Sequence, residues 1–411
     1  MSRNGFTITQ LVWRDRVLDE IAMPRGALRV TLGLGSGLTR RPRDQPGRLW
    51  ALGDRGPNLK ISQAVEDCGL DHLQGLAGVE GAKLMPRPDI GPTITELSLI
   101  GDELRFVRTL PLRAPSGRTI SGLPLPGGGE AAMEPAYDLN GNLLAPDGGA
   151  DTEGVVALAD GGFWVADEYG PSLMRIDPHG VVTARWVPEG VTGDCDPPLS
   201  AILPAIGARR RLNRGFEALA ISADETWLYV AFQSPLDHGD VRACSRHARI
   251  WKIDATSGAV AAQYVYPFDT PSSFARDRAA GEVQPRDLKI SEAVCVGPDR
   301  LLVLERISQT SKLYLVDLAG PGAPPHHLDA ETRPTLEELR PEEMAEAGIP
   351  FLTKVLLLST DDTPEITADL EGVALMSDRE LILVNDNDFG IEGVETRFYR
   401  VTFERPIAGE P

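Results

Sequence analysis

The sequence predicts an all-β fold made of repeated small sheets, and three features support this prediction. One pattern of strand, turn and strand recurs along most of the chain. The 42 glycines and 33 prolines are spread over the 411 residues rather than gathered in one linker, as expected of short strands joined by turns. Only two segments, 59–70 and 335–348, have a helical pattern, and Pro341 interrupts the second. Both are predicted to be insertions on a β scaffold.

Four segments of the chain repeat the same order of features. Each has a glutamate, a small residue, a short apolar strand, a turn with Asp or Gly, a second β-rich strand, a polar cluster and a third strand. The repeats begin at Glu153, Glu217, Glu292 and Glu371, which are 64, 75 and 79 residues apart. A weaker copy covers 36–55, with 94–100 as its third strand. Repeats of this kind are typical of the blades of a β-propeller.

One blade cannot bury both of its faces, so neighbouring blades must stack around an axis. The sequence therefore predicts a single β-propeller domain over residues 1–411. Six blades are favoured, because the 117 residues between the first two copies leave room for a degenerate blade, and seven is the alternative. The strand at 6–13 is expected to complete the last blade and to close the ring. A pair of β-sandwiches would explain the strands but not the recurring glutamates.

The charge of the chain limits its partners. With 41 basic and 60 acidic side chains the net charge is −19, which has the wrong sign for a nucleic-acid partner. A small-molecule substrate is expected, and an anionic one would need a bound metal or local arginines to approach. No apolar stretch is long enough to span a bilayer, so no membrane partner is expected. The first residues lack an apolar signal segment, which predicts a cytoplasmic location. Oligomeric state is left open.

The cysteines and the absence of common catalytic motifs mainly exclude classes of protein. Cys68 and Cys295 lie in apolar segments and are expected to be buried thiols. Cys195 and Cys244 lie in polar, loop-like stretches, and a disulfide between them is one alternative. The sequence has no CxxC, GxSxG, GxGxxG or Walker A motif, which disfavours zinc-finger, serine hydrolase, dinucleotide and P-loop proteins.

The predicted fold gathers polar residues at one end of the propeller axis. A blade's first strand leaves the face to which its second strand returns, so the opening glutamates and the second-strand polar clusters meet there. The residues gathered in this way are Asp54, Arg55, Glu153, Asp167, Glu168, Glu217, Gln233, Glu292, Glu305, Arg306, Glu371, Asp386 and Asn387. So many carboxylates would repel one another at reduced dielectric, which calls for a cation. Oxygen ligands without histidine or cysteine favour Ca²⁺, with Mg²⁺ or Mn²⁺ behind it.

These residues are assigned three roles. The predicted metal ligands are Glu153, Asp167, Glu217, Glu292, Glu305, Glu371, Asp386 and Asn387. The predicted catalytic residues are Arg55, Glu168 and Arg306. The predicted substrate-binding residues are Asp54, Arg214, Gln233 and His238. Each role has a structural alternative: a glutamate can cap backbone N–H groups, an arginine can pair with a neighbouring acid, and His238 can belong to a surface loop.

The same segments resemble a known family, the phytase-like ("esterase-like activity of phytase") domain. The resemblance lies in DTEGVVALADGGFWVADEYGPSLMRIDPHG, NRGFEALAISADETWLYVAFQSPL, LLVLERI and LEGVALMSDRELILVNDNDFG, with SGL and ALGDRGPN near the start. It covers roughly residues 30–402. The resemblance implies a β-propeller and a link to calcium-dependent phosphoesterases. It also implies an exported location, in contrast to the start of the chain.

Three functions are compatible with these observations. The first is a metal-dependent hydrolase of phosphoric esters, in which a metal-bound water attacks phosphorus while Arg55 and Arg306 stabilise the developing charge. The second is a calcium-dependent lactonase or carboxylesterase with one central ion. The third is a binding propeller whose calcium is structural. Several metal sites close together would favour the first function, and one axial site would favour the second.

Overall fold

The computed structural model describes residues 5–125, 134–238 and 245–409. The N-terminal part contains β1 (Phe6–Gln10) and a hairpin of β2 (Val17–Ala22) and β3 (Ala27–Thr31). The first large sheet begins with β4 (Gly37–Thr39) and β5 (Arg48–Gly53). An insertion follows with β6 (Leu59–Lys60), α1 (Ile61–Glu66) and β7 (Lys83–Leu84). The sheet is completed by β8 (Thr93–Ile100) and β9 (Glu103–Pro111), whereas β10 (Ala136–Tyr137) joins β6 and β7 in a small separate sheet.

Four more large sheets follow along the chain. The second contains β11 (Thr152–Ala157), β12 (Phe163–Asp167), β13 (Ser172–Ile176), β14 (Val182–Pro188) and β15 (Leu199–Leu203). The third contains β16 (Phe216–Ile221), β17 (Trp227–Phe232), β18 (His247–Asp254) and β19 (Val260–Pro267). After α2 (Ala275–Ala280), the fourth contains β20 (Lys289–Gly297), β21 (Arg300–Arg306), β22 (Ser311–Asp317) and, beyond α3 (Pro341–Glu346), β23 (Thr353–Ser359). The last contains β24 (Leu370–Leu375), β25 (Glu380–Asn385) and β26 (Phe398–Phe403).

Short 3-10 helices lie in the connections between these strands. They span Asp71–Leu76, Ala205–Arg209, Pro271–Ser273, Pro285–Asp287, Pro325–Leu328, Leu336–Glu338, Thr360–Asp362 and Asp388–Gly390. The predicted helical segment 335–348 is in fact divided between the 3-10 helix Leu336–Glu338 and α3, because Pro341 occupies the first helical position, where no N–H is needed. Helix α2 was not predicted. Within the described ranges, no helix is long and apolar enough to cross a membrane.

The five large sheets are arranged as a β-propeller, which confirms the predicted fold class. Strand β4 contacts β11, β11 contacts β16, β16 contacts β20, β20 contacts β24, and β24 contacts β4 again. The first strands of the sheets therefore form a closed ring around the axis. The described residues hold five blades in this ring rather than the favoured six. The long gap after the first repeat contains strand β9 and the small sheet of β6, β7 and β10 instead of a further blade.

The N-terminal strand closes the ring as predicted. Strand β1 pairs antiparallel with β26, from Phe6 opposite Phe403 to Gln10 opposite Tyr399. The last blade is thus built from both ends of the described chain, in the order β1, β26, β25, β24. This pairing covers the edge of β26, which would otherwise present unpaired backbone groups to other chains.

The core lies between neighbouring blades, and alternate residues of one strand face different neighbours. In β16, Leu219 packs with side chains of the second blade, whereas Ala218 and Ala220 pack with side chains of the fourth. Close packing of the inner strands also explains why a small residue follows each opening glutamate. A Cβ at Gly154 would lie 2.6 Å from the carbonyl oxygen of Glu217. The inner strands approach too closely at that level of the axis for a larger side chain.

The predictions for the cysteines are resolved only in part. Cys68 is buried, as predicted, whereas Cys295 is partly exposed. Cys244 lies outside the described residues, so its pairing with Cys195 stays a prediction.

Candidate functional site

A polar cavity of about 300 Å³ occupies one end of the propeller axis. Nine of the residues singled out in the sequence line it: Asp54, Arg55, Glu153, Glu168, Glu217, Gln233, Arg306, Glu371 and Asp386. The cavity wall also includes Asn58, Lys83, Asp151, Asn213, Lys289, Ser308, Asp369 and Asp388. All five blades contribute to it.

Strand pairing brings these side chains to the same end of the axis. In the second blade, Thr152 at the start of β11 lies opposite Asp167 at the end of β12. In the last blade, Leu370 at the start of β24 lies opposite Asn385 at the end of β25. The start of each first strand therefore meets the end of the second strand, as the repeat pattern predicts.

A local irregularity aims three of the four opening glutamates into the cavity. The strand register shifts at Glu153, at Glu217 and at Glu371, so each glutamate is left out of the regular pairing of its blade. Bulges of this kind redirect a side chain. In the fourth blade the shift falls one residue earlier, at Ser291, and Glu292 lies opposite Leu304.

Glu292 consequently has a different environment from the other three glutamates. It is buried, and its carboxylate accepts hydrogen bonds from the backbone N–H groups of Leu38 (3.3 Å) and Ala293 (3.0 Å). Glu292 is not part of the cavity wall described above, although it was predicted as a metal ligand. Its contacts are those of the structural alternative: Glu292 caps backbone N–H groups of inner strands.

The paired polar residues after the second strands divide between two faces. Successive side chains of a strand point to opposite faces, and in three of the four pairs only one member reaches the axis, whereas Asp54 and Arg55 both line the cavity. In the pair Asp167 and Glu168, Glu168 lines the cavity, while the fully buried Asp167 binds Arg185 at 2.6 Å and Ser172 at 2.8 Å.

Two further predicted metal ligands lie outside the cavity for the same reason. Glu305 accepts hydrogen bonds from the Tyr266 hydroxyl (2.7 Å) and the Asp269 N–H (2.8 Å), while its neighbour Arg306 lines the cavity. Asn387 accepts from the Leu34 N–H at 3.2 Å, and its amide donates to backbone and hydroxyl oxygens near β3.

Two predicted substrate-binding residues, Arg214 and His238, also lie outside the cavity wall. Arg214 donates to the Ser234 hydroxyl at 2.8 Å and to the Arg286 carbonyl at 3.1 Å. The buried His238 lies 3.3 Å from the Arg333 guanidinium, and its pKa is lowered first by burial and then by that positive charge. The buried position of His238 differs from the surface loop that was its alternative.

Two groups of three carboxylates within the cavity have the spacing of a cation site. Asp54, Asp386 and Asp388 form the first, which we call the rim cluster, and their nearest oxygens lie within 4.8 Å of one another. Burial raises the pKa of Asp386 to about 8, with the nearby Asp388 as the next cause. Burial also raises the pKa of Asp54 well above its usual value, and Asp386 adds to this effect. Without a cation, Asp386 therefore holds a proton at neutral pH.

The second group, which we call the floor cluster, consists of Asp151, Glu153 and Glu168, all of them buried. Their oxygens also lie within 4.8 Å of one another. Burial raises the pKa of each, and the charge of Glu217 adds to the effect on Glu153 and Glu168. One oxygen of Glu168 (Oε1) has no hydrogen-bond partner among the described residues, although the side chain is buried.

Glu217 lies beside the floor cluster and has a similar unsatisfied oxygen. Its Oε2 atom is buried without a hydrogen-bond partner within the described part of the chain. Burial raises its pKa to about 7, against the opposing effects of a hydrogen bond with Gln233 and the charges of Arg306 and Lys289. A buried acceptor without a donor is costly, and a bound cation would satisfy it.

The arginines of the cavity are already paired with carboxylates. Arg55 contacts Glu134 at 2.7 Å and Asp151 at 3.2 Å. Arg306 contacts Asp369 at 2.6 Å and also pairs with Glu371. Both arginines therefore form the ion pairs that were their structural alternative, and both also line the cavity.

Several cavity residues were not found from the sequence, although some of them carry a signal. Asp151 and Asp369 each precede an opening glutamate by two residues, and Asp388 follows Asp386 by two. Asp151 and Asp369 recur at the same place in two repeats, so the repeat pattern could have revealed them, whereas Asp388 lies on the 3-10 helix Asp388–Gly390, where the strand period does not apply. Lys83 carries no such signal, because it comes from the insertion after the first repeat.

The donor set of the cavity fits a hard divalent cation. The two clusters offer six carboxylates and no sulfur or imidazole, which is the ligand type that calcium prefers. The unpartnered buried oxygens of Glu168 and Glu217 indicate that the carboxylates are not fully satisfied by the protein alone. Nine carboxylates and four cationic side chains line the cavity, which leaves a formal charge of −5.

The fold and the cavity together define a five-bladed β-propeller, within the described residues, that carries an acidic site at one end of its axis. A family model described as "Phytase-like: Esterase-like activity of phytase" matches residues 31–389. The chain belongs to this family.

Comparisons with individual proteins are more distant. An "Uncharacterized secreted protein" of Arthroderma benhamiae is 30% identical over 236 residues, which cover 51% of this chain and 44% of that relative. This chain thus spans less than half the length of that protein. The PQQ-bound aldose sugar dehydrogenase of Streptomyces coelicolor is 12% identical, with a TM-score of 0.33 over 98% of this chain and 100% of that one. The virginiamycin B lyase of Staphylococcus aureus is 11% identical, with a TM-score of 0.35 over 97% and 99% of the two chains.

Proposed function

We propose that the protein is a calcium-dependent hydrolase of phosphoric esters that acts in the acidic cavity. The observation that carries this proposal is the presence of two three-carboxylate clusters in one cavity. Two neighbouring cation sites suit phosphoryl transfer, in which both the attacking and the leaving oxygen need stabilisation. A lactonase with one axial ion would need a single site.

The rim cluster would hold one cation. Asp151 and Glu153 of the floor cluster would hold the other with the help of Glu217, which leaves Glu168 for proton transfer. Bound calcium would supply Lewis-acid stabilisation of phosphoryl oxygens and a more acidic water. Magnesium would be accepted less well, because Mg²⁺ demands a near-ideal octahedron of oxygens whereas Ca²⁺ tolerates irregular carboxylate geometry.

The protein's own residues would position the ester and move a proton. Glu168 has one carboxylate oxygen without a hydrogen-bond partner among the described residues and lies on the cavity wall, so it is placed to exchange a proton with a leaving oxygen. Arg55 and Arg306 hold the neighbouring carboxylates in place and add positive charge beside them. Gln233 orients Glu217 through their hydrogen bond.

An assay panel tests the proposal. Calcium-loaded protein should hydrolyse an aryl phosphate and phytate faster than an aryl acetate or a lactone, and chelator should abolish the phosphate activity. Glu168→Gln should reduce the rate constant by about a hundredfold, the usual scale of lost proton transfer. The control Glu189→Gln changes an exposed glutamate of the same blade and should leave the rate unchanged. Hydrolysis of lactones alone would replace the proposal with a lactonase, and no hydrolysis would favour a binding propeller.

One relative of the protein bears on its location inside or outside the cell. The protein of Arthroderma benhamiae is described as secreted. We infer an exported location for this chain too, in place of the cytoplasmic one expected from its first residues. Fractionation of the producing cells tests this, and recovery of the protein only from the cytosol would contradict it.

A further inference from the structure

The cationic side chains of the cavity fall into two kinds. Both arginines are held by carboxylates, as described above, so their charge is largely compensated. Lys83 and Lys289 also line the cavity, but neither has an ion pair or a hydrogen bond through its ammonium group within the described residues. Both are only partly buried, so their ammonium groups can turn toward a ligand in the cavity.

The two lysines come from parts of the fold that are not neighbours in the ring. Lys83 lies on β7, in the small sheet inserted within the first blade, and Lys289 is the first residue of β20 in the fourth blade. The positive charge of Arg306 is the main cause that lowers the pKa of Lys289, to about 8. Lys289 thus lies in a locally positive part of a cavity that is negative as a whole.

Cation binding would reduce the negative charge that surrounds the two lysines. The formal charge of the cavity wall is −5, and the two carboxylate clusters would each take one divalent ion. Two such ions would bring the formal charge to about −1. The lysines would then no longer be required to balance carboxylates, and their charge would be available to an anion.

We propose that Lys83 and Lys289 bind the anionic group of the substrate and select phosphate esters over neutral esters. The inference rests on the proposed function and assigns anion recognition to residues other than Arg55 and Arg306. It also gives the insertion of β6, β7 and β10 a role in recognition, because Lys83 belongs to it. Lysine suits this role as a compact, strongly charged donor that can follow phosphoryl oxygens.

Binding of inorganic phosphate to calcium-loaded protein, measured by calorimetry, tests the assignment without catalysis. Lys83→Gln and Lys289→Gln should each weaken phosphate binding tenfold or more, while calcium affinity stays equal or rises because a positive charge is lost. Lys60→Gln is the matched control, because Lys60 is exposed, lies opposite Lys83 in the same small sheet and is not in the cavity wall. Lys289→Arg should recover much of the phosphate affinity, which a purely structural role would not require.

The outcomes separate this inference from the proposed function. Unchanged phosphate affinity in both glutamine variants, or no phosphate binding by the original protein, would overturn the inference. If those variants bind phosphate normally while the original protein hydrolyses phosphate esters, the inference fails and the proposed function stands. If phosphate binding depends on the lysines but no ester is hydrolysed, the inference stands and the proposed function fails. In an active protein, the two variants should raise KM for an aryl phosphate more than KM for a neutral ester.

Discussion

Glu217 and Glu292 hold the same place in the sequence repeat, yet their carboxylates have different partners. Glu217 lies at a register shift and keeps one buried oxygen for which the described part of the chain provides no donor. Glu292 lies one residue beyond the shift and accepts two backbone N–H groups. A bulge that lies one residue earlier in the strand thus makes the glutamate a backbone cap instead of a candidate metal ligand.

The two glutamates should respond in opposite ways to the same substitution. Glu217→Gln removes a charge that a cation needs, so calcium affinity should fall tenfold or more, about 1.4 kcal/mol. Stability in chelator should stay equal or rise, because repulsion with Glu153 and Glu168 is relieved. Glu292→Gln should weaken hydrogen bonds to the backbone and lower stability in chelator, with calcium affinity unchanged. Thermal melts in calcium and in chelator measure both, and a Glu217→Gln protein with unaltered calcium affinity would remove Glu217 from the ligand set.

The raised pKa values also predict the pH dependence of stability. Asp386 and Glu217 keep protons in the folded protein up to about pH 8 and pH 7, whereas in an unfolded chain they lose them near pH 4. The folded state therefore binds more protons than the unfolded state between these limits. In calcium-free protein, the free energy of unfolding should fall as the pH rises from about 4 to 8.

Denaturant unfolding at several pH values, with and without calcium, measures this effect. Calcium should flatten the decline, because ligated carboxylates are stable in their charged form. A calcium-free protein whose stability rises steadily over the same pH range would contradict the assignment of these buried carboxyls.

At the scale of the strand, the period of two decides which member of three polar pairs reaches the cavity, while both Asp54 and Arg55 reach it. The sequence identifies the pair Asp167 and Glu168, but not which of the two faces the axis. That choice depends on Arg185, which lies on β14 and reaches Asp167 only in the folded blade. Asp151 and Asp369 repeat at the same distance before an opening glutamate, so the repeat pattern marks them, although the bulge at the glutamate interrupts the strand period.

Asp167→Asn tests the structural role of the buried member. It leaves Arg185 without its buried counter-ion, so the free energy of unfolding should fall by about 3 kcal/mol, while calcium affinity is retained. Asp160→Asn is the control in the same blade, because the ion pair of Asp160 with Arg175 is exposed and should contribute less than about 1 kcal/mol. Chemical denaturation measures both changes. Loss of calcium binding in folded Asp167→Asn would return Asp167 to the ligand set.

At the scale of the whole molecule, the propeller and its closure by β1 were predictable because each blade repeats one pattern. The blade number was not, because the length between repeats does not distinguish a degenerate blade from an insertion. Here the insertion of β6, β7 and β10 fills that length and brings Lys83 to the cavity. An insertion outside the repeat leaves no periodic signal, which is why this side of the site could not be read from the sequence.

Calorimetric titration of calcium into chelator-treated protein tests the central claim, that the acidic cavity is a cation site. Because burial raises the pKa of the cluster carboxyls, that of Asp386 to about 8, calcium should bind with release of protons at pH 7. The release is measurable as a heat that depends on the ionisation enthalpy of the buffer. At a hundredfold excess over its Kd, the ion should stabilise the fold by about 2.7 kcal/mol. Saturable binding to more than one site, with proton release and a raised melting temperature, is the predicted result. The absence of calcium binding, with an unchanged melting temperature, would contradict the account.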